Sequence, residues 1–146
     1  MRKAFSLVEL LIVVMCLAAL ACLAVPRMQL SLLSRYKSDA TSHKITTDLL
    51  LARNLAITNA AVNNTGYALK MLGSAPYTGY SIVNAKDNSV VGTYSIDPNI
   101  TCTGSAQFNF GPLGNLKSGG TQLTVSSSLR TSTITVQPST GAVKCD

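Results

Sequence analysis

Ala4-Phe5-Ser6-Leu7-Val8-Glu9-Leu10-Leu11-Ile12-Val13-Val14 decides the fold, and it stands directly behind a basic start, Met1-Arg2-Lys3. From Phe5 to Val25 every residue is apolar except Ser6 and Glu9. As a helix rising 1.5 Å per residue, that stretch spans roughly 31 Å, about the thickness of a bilayer core. Lys and Arg on its N-terminal side predict a cytoplasmic N-terminus, with the bulk of the chain outside.

Three readings of the segment compete. It could be a secretory signal peptide, with Ala19-Leu20-Ala21 as the cleavage site. It could be a lipoprotein signal ending at Cys22. It could also be a retained anchor cut near its start. Glu9 decides for the third. A carboxylate inside an apolar run costs a few kcal/mol to insert and is usually partnered and functional. A disposable signal gains nothing from it. If the chain is cut after Ala4, Phe5 gains a free α-amine, and the amine of one subunit can pair with Glu9 of its neighbour.

This segment resembles the type IV prepilin signature. The resemblance implies cleavage between Ala4 and Phe5 by a prepilin peptidase, N-methylation of Phe5, and an inter-subunit role for Glu9. Pro26 falls where many pilins carry a helix-kinking proline.

Beyond Pro26 the helical period continues. Met28, Leu32, Tyr36 and Ala40 recur every four residues, and Ile45, Leu49, Ala52 and Ala56 form a second stripe. Arg35, Lys37, Ser38, Lys44 and Thr47 occupy the opposite positions. Asn63-Asn64-Thr65-Gly66 reads as the stop. The expectation is a leader over 1–4, a transmembrane half-helix over 5–25, an amphipathic half over 26–64 and a β-rich domain over 65–146.

That last part is rich in Ser, Thr, Asn and Gly and poor in charge, a composition of short strands and polar turns. Strands are expected at Tyr67–Leu72, Tyr80–Val83, Val90–Ser95, Gln107–Phe110, Leu123–Ser126, Thr133–Val136 and Ala142–Lys144. Turns are expected at Lys86–Ser89, Gly111–Asn115 and Pro138–Gly141.

Leu51-Ala52-Arg53-Asn54-Leu55-Ala56-Ile57 is similar to the helix end of the GspH/FimT family of minor pilins and pseudopilins. Phe108 to Gly114, Leu123-Thr124-Val125, Ile134-Thr135-Val136 and Gly141-Ala142-Val143 are similar to that family's C-terminal strands. The resemblance implies an α+β, pilin-like fold, in which a long helix packs on antiparallel sheet. It implies a structural subunit of a type IV pilus or a type II secretion pseudopilus. The partners would be other pilin subunits, the prepilin peptidase and the bacterial inner membrane.

No enzyme chemistry is legible. There is no G-x-S-x-G, and the single histidine, His43, falls in the predicted helix. Gly119-Gly120 lacks the rest of a phosphate-binding loop. Asp87-Asn88 and Asp97-Pro98-Asn99 read as turns, since lone acidic turns do not supply a calcium coordination sphere. No cofactor or metal is expected.

DNA uptake is the alternative function. Net charge is +6, and the basic residues are scattered rather than run together. Some FimT-type pilins bind DNA through an arginine-containing tail, whereas Gly141-Ala142-Val143-Lys144-Cys145-Asp146 holds one Lys and no Arg.

Of the four cysteines, Cys16 and Cys22 lie in the apolar run. Cys102 and Cys145 lie in the part placed outside the cytoplasm, where disulfides persist. A Cys102–Cys145 bond is expected there. It would close a loop of about 44 residues, worth roughly 4 kcal/mol in the chain-entropy account.

Overall fold

The computed structural model describes residues 6–146; of the side chains of residues 23–31 nothing is described. The described residues up to 33 form one compact unit and residues 34–146 another, and each is taken by itself. The fold class is α+β with antiparallel sheets.

Helix α1 runs Leu7–Thr58 and contributes to both units. Its start follows from its sequence. Ser6 is the last non-helical residue, and its carbonyl accepts from the amides of Glu9 (3.0 Å) and Leu10 (3.1 Å). Ser6-Leu7-Val8-Glu9 has the S-x-x-E spacing of a capping box. In the first unit every described side chain of the helix through Cys22 is exposed. Among the described residues no helix is long and apolar enough to cross a membrane.

In the second unit the helix stripe Ile45, Leu49, Ala52 and Ala56 is fully buried, as its spacing predicts. The earlier stripe corrects the sequence reading. Leu32 and Tyr36 are 54% and 76% exposed, Ala40 is exposed, and Met28 lies outside the described side chains. Ser38 and Ser42, not those apolar residues, turn inward and are buried. Small side chains let the helix approach its neighbours closely, and Ser42 Oγ satisfies itself by donating to the Asp39 carbonyl at 2.9 Å. The helix ends at Thr58, five residues short of the predicted stop at Asn63, and turns carry the chain to it. Buried Asn63 accepts through Oδ1 from the amides of Thr65 and Gly66, and donates through Nδ2 to the Gly66 carbonyl and to Asn84 Oδ1.

Among the described residues nine strands follow: β1 Tyr67–Leu72, β2 Gly79–Asn84, β3 Val90–Ser95, β4 Thr101–Gly104, β5 Gln107–Phe110, β6 Leu116–Gly119, β7 Gln122–Ser126, β8 Thr131–Val136 and β9 Val143–Cys145. They form one sheet in the order β3-β2-β1-β5-β6 and another in the order β4-β7-β8-β9, and every pairing is antiparallel. Seven strands match the sequence reading within two residues. β4 and β6 were not expected. Thr101-Cys102-Thr103-Gly104 and Leu116-Lys117-Ser118-Gly119 carry too few apolar residues to show a period, and they exist because β7 and β5 offer them ladder partners.

A single core joins the helix stripe to both sheets. Leu69, Tyr80, Ile82, Phe108 and Phe110 come from the first sheet, and Cys102, Leu123, Val125, Ile134 and Val136 from the second. The alternation in β8, where Ser132, Ile134 and Val136 are buried between less buried neighbours, is the period-2 pattern of a sheet with one face on the core.

The expected disulfide is not formed; Cys102 and Cys145 are both free thiols. The reason is register. Cys102 lies opposite Val125 on β7, whereas Cys145 lies opposite Ile134 on β8, at the far edge of the same sheet. Three strand spacings of about 4.8 Å separate β4 from β9, roughly 14 Å in all. A disulfide needs Cα atoms about 4.4–6.8 Å apart. Burial pushes the Cys102 thiol up to about 11, which suppresses its reactive thiolate. Thiol titration of the folded chain is therefore expected to find both cysteines reduced, half-buried Cys145 reacting first and Cys102 only on unfolding. Recovery of a Cys102–Cys145 peptide in a non-reducing digest would contradict this topology.

Candidate functional site

Three groups of residues stand out beyond the core: the start of the helix, a hub around Arg53, and a polar network around Asp48. Ala4 and Phe5, the expected processing residues, lie outside the described residues. Glu9, the expected inter-subunit residue, is exposed in the first turn of α1, where the helix dipole favours a carboxylate.

Arg53 projects from the last turns of the helix. Its Nε donates to the Gly114 carbonyl at 3.1 Å and to the Thr140 carbonyl at 3.2 Å. The β5–β6 and β8–β9 turns are thereby tied to the helix through one guanidinium. Gly141 sits at φ +64°, and a Cβ there would collide with the Gly114 carbonyl oxygen. Gly114, at φ +78°, would meet Ile57 at 2.7 Å. Both glycines are required by close approach as well as by backbone conformation. Arg53, Gly114 and Gly141 belong to the helix-end, β5-turn and β9 motifs, which are far apart in sequence and meet at this point.

Asp48 is buried on the inner face of the helix and is 6% exposed. Tyr80 on β2 donates its hydroxyl to Asp48 Oδ2 at 2.6 Å. Burial first, and then the Asp48 carboxylate, raise the Tyr80 pKa well above the ordinary phenol value. Lys44 Nζ reaches the same carboxylate oxygen at 3.5 Å and lies 4.0 Å over the Tyr94 ring, which packs 5.3 Å from Tyr80. The sequence reading missed Asp48, although a lone acid between Ile45 and Leu49 was the available signal.

An open cleft of about 390 Å³ is lined by Pro76, Tyr77, Ile96, Asp97, Pro98 and Ile100, among others. Its ionisable groups are already engaged. Tyr77 donates to the Gly104 carbonyl at 2.8 Å, and Asp97 pairs with Lys37 at 2.8 Å. Asp97 Oδ1 also accepts from the Asn99 amide, which makes Asp97-Pro98-Asn99 the expected turn. Asp87 does the same for Ser89, whose bonds lower the Asp87 pKa. Among the described residues no three His, Cys, Asp or Glu side chains converge as metal ligands. His43 is exposed on the helix. Lys144, the tail's one cation, pairs with Asp146.

No protein-family model, curated protein or solved structure matches the chain.

Two outcomes follow. Arg53→Ala leaves two turn carbonyls without their donor and is expected to cost about 1–3 kcal/mol in denaturant unfolding, with Arg53→Lys restoring only part of it. The Lys37 ammonium, followed by the Asn99 bonds, holds the Asp97 carboxyl at about 2, below its ordinary 3.8. A depressed folded value means that its contribution to stability is present above the ordinary value and is lost as pH falls from about 4 through about 2. An NMR titration is expected to place the Asp97 midpoint near 2 and to find it moved upward in Lys37→Ala.

Proposed function

We propose that this chain is a minor structural subunit of a type IV pilus or type II secretion pseudopilus, with a pilin-like fold and an N-terminal helix that anchors it in the bacterial inner membrane before assembly. The observation that carries the reading is the first unit. Leu7, Val8, Leu10, Ile12, Met15 and Leu20 are each more than half exposed, and at 3.6 residues per turn they point to all sides of one helix. A helix apolar all round requires an apolar surrounding, either lipid or other helices. The sequence from Phe5 to Val25 is long enough for the bilayer core.

Glu9 is the one charge in that run. In a low-dielectric layer its carboxylate needs a partner. The α-amine of a neighbouring subunit that begins at Phe5 supplies one and fixes the axial register of the two helices. The same carboxylate sits in the first turn, so it also stabilises the helix start. The convergence of the helix-end, β5-turn and β9 motifs on Arg53 adds support, because it gives the resemblance to the GspH/FimT family a common physical purpose. DNA uptake gains nothing from the tail, whose lysine is already paired with Asp146.

The test is made on the chain expressed with its secretion or pilus machinery. Mass spectrometry is expected to find a mature N-terminus at N-methylated Phe5. Glu9→Ala is expected to leave the globular part folded and to reduce recovery in sheared or co-purified filaments severalfold. A mature chain starting at Cys22, or undiminished incorporation of Glu9→Ala, would overturn the reading.

A further inference from the structure

Sheet edges expose unpaired amides and carbonyls, and natural proteins usually shorten, charge or cover them. Three of the four edges here are treated in that way. On β4 the Cys102 carbonyl accepts from the Tyr77 amide at 2.8 Å. On β6 the strand carries Lys117, and the Leu116 amide donates to the Pro138 carbonyl at 2.9 Å. β9 is three residues long and carries Lys144.

The fourth edge, β3, is different. Val90-Val91-Gly92-Thr93-Tyr94-Ser95 is six residues long and uncharged. Val90 and Val91 are 60% and 52% exposed. The direction of its free groups follows from its register. The Ile96 amide donates to the Thr78 carbonyl at 2.9 Å, so residues in step with Ile96, namely Tyr94 and Gly92, turn their main chain toward β2. Antiparallel ladders alternate, so Thr93 and Ser95 turn theirs outward. Among the described residues no main-chain partner takes them up on that side.

We propose that β3 is an interaction edge that pairs antiparallel with β3 of a second copy of this chain, about a two-fold axis at Thr93. The occupant follows from charge and symmetry. A two-fold contact sets every residue of the edge against the same short strand, so any charge would be matched by its own sign. β3 carries none, whereas β6 and β9 would bring lysines together. In this register Thr93 faces Thr93 of the partner and the two exchange their outward amides and carbonyls, while Ser95 lies opposite Val91. The register of β3 against β2 shifts at Ile82/Val83, leaving Val91 as the extra residue, and this bulge ends the free ladder on one side. The contact closes on itself, so it makes a dimer and cannot propagate a filament. It stands independently of the pilin reading.

Site-specific cross-linking of the full chain in detergent tests it. Thr93→Cys places two thiols across the axis, with Cα atoms about 5.5 Å apart for a hydrogen-bonded pair, which oxidation or a short bis-maleimide can bridge. Ser118→Cys, exposed on β6 at the other edge of the same sheet, and the unsubstituted chain report collision and the native cysteines. The expected result is a Thr93→Cys dimer severalfold above both controls, reduced to their level when Val91→Lys is added. Cross-linking at Thr93 no greater than at Ser118, or undiminished by Val91→Lys, would overturn the proposal.

Discussion

The burial of one helix stripe, Ile45, Leu49, Ala52 and Ala56, is the constraint on which the second unit depends. These residues share a single core cluster with the inner-face residues of both sheets, so the helix completes the apolar core. The polar contacts on the same helix then fix how it sits. Asp48 accepts from Tyr80 beneath it, and Arg53 reaches across to two turns. Apolar burial supplies most of the driving force but has no direction. The Asp48 and Arg53 bonds have direction, and they select one rotation of the helix about its axis.

The two halves of the same helix obey opposite rules. In the second unit one apolar stripe is buried, and the other sides mix polar residues with exposed Tyr36, Leu50, Leu51 and Ile57. In the first unit the apolar residues with described side chains point to all sides and are exposed. For the filament subunit proposed above, held first in lipid and then packed among other helices, each half would have a use. Glu9 is the one charge between Phe5 and Val25, where the cost of burying a carboxylate makes a partner's position matter.

Much of this was legible in the chain itself. The 3.6-residue period placed Ile45, Leu49, Ala52 and Ala56 on one face, and strand composition with polar turns located seven strands. The failures share a cause. Leu32, Tyr36 and Ala40 keep a helical period as regular as that of the buried stripe, yet they face outward, because periodicity reports that a face exists and not what covers it. β4 and β6 carry no period of their own and are strands only because partners recruit them. Cys102 and Cys145 could be paired by elimination, but elimination says nothing about the two strands that lie between them.

The apolar N-terminal segment with its lone carboxylate, the helix behind it and the β-rich remainder can all be read along the chain, because they are set by local composition and by periods of 3.6 and 2. Which residues meet is set by the fold. Arg53, Gly114 and Thr140 are brought together across the helix and two turns, Asp48 finds Tyr80, the two thiols are held apart, and β3 is left as the uncovered edge. Each of these depends on strand order and register, which bring together residues far apart in the chain, and no local pattern encodes that order.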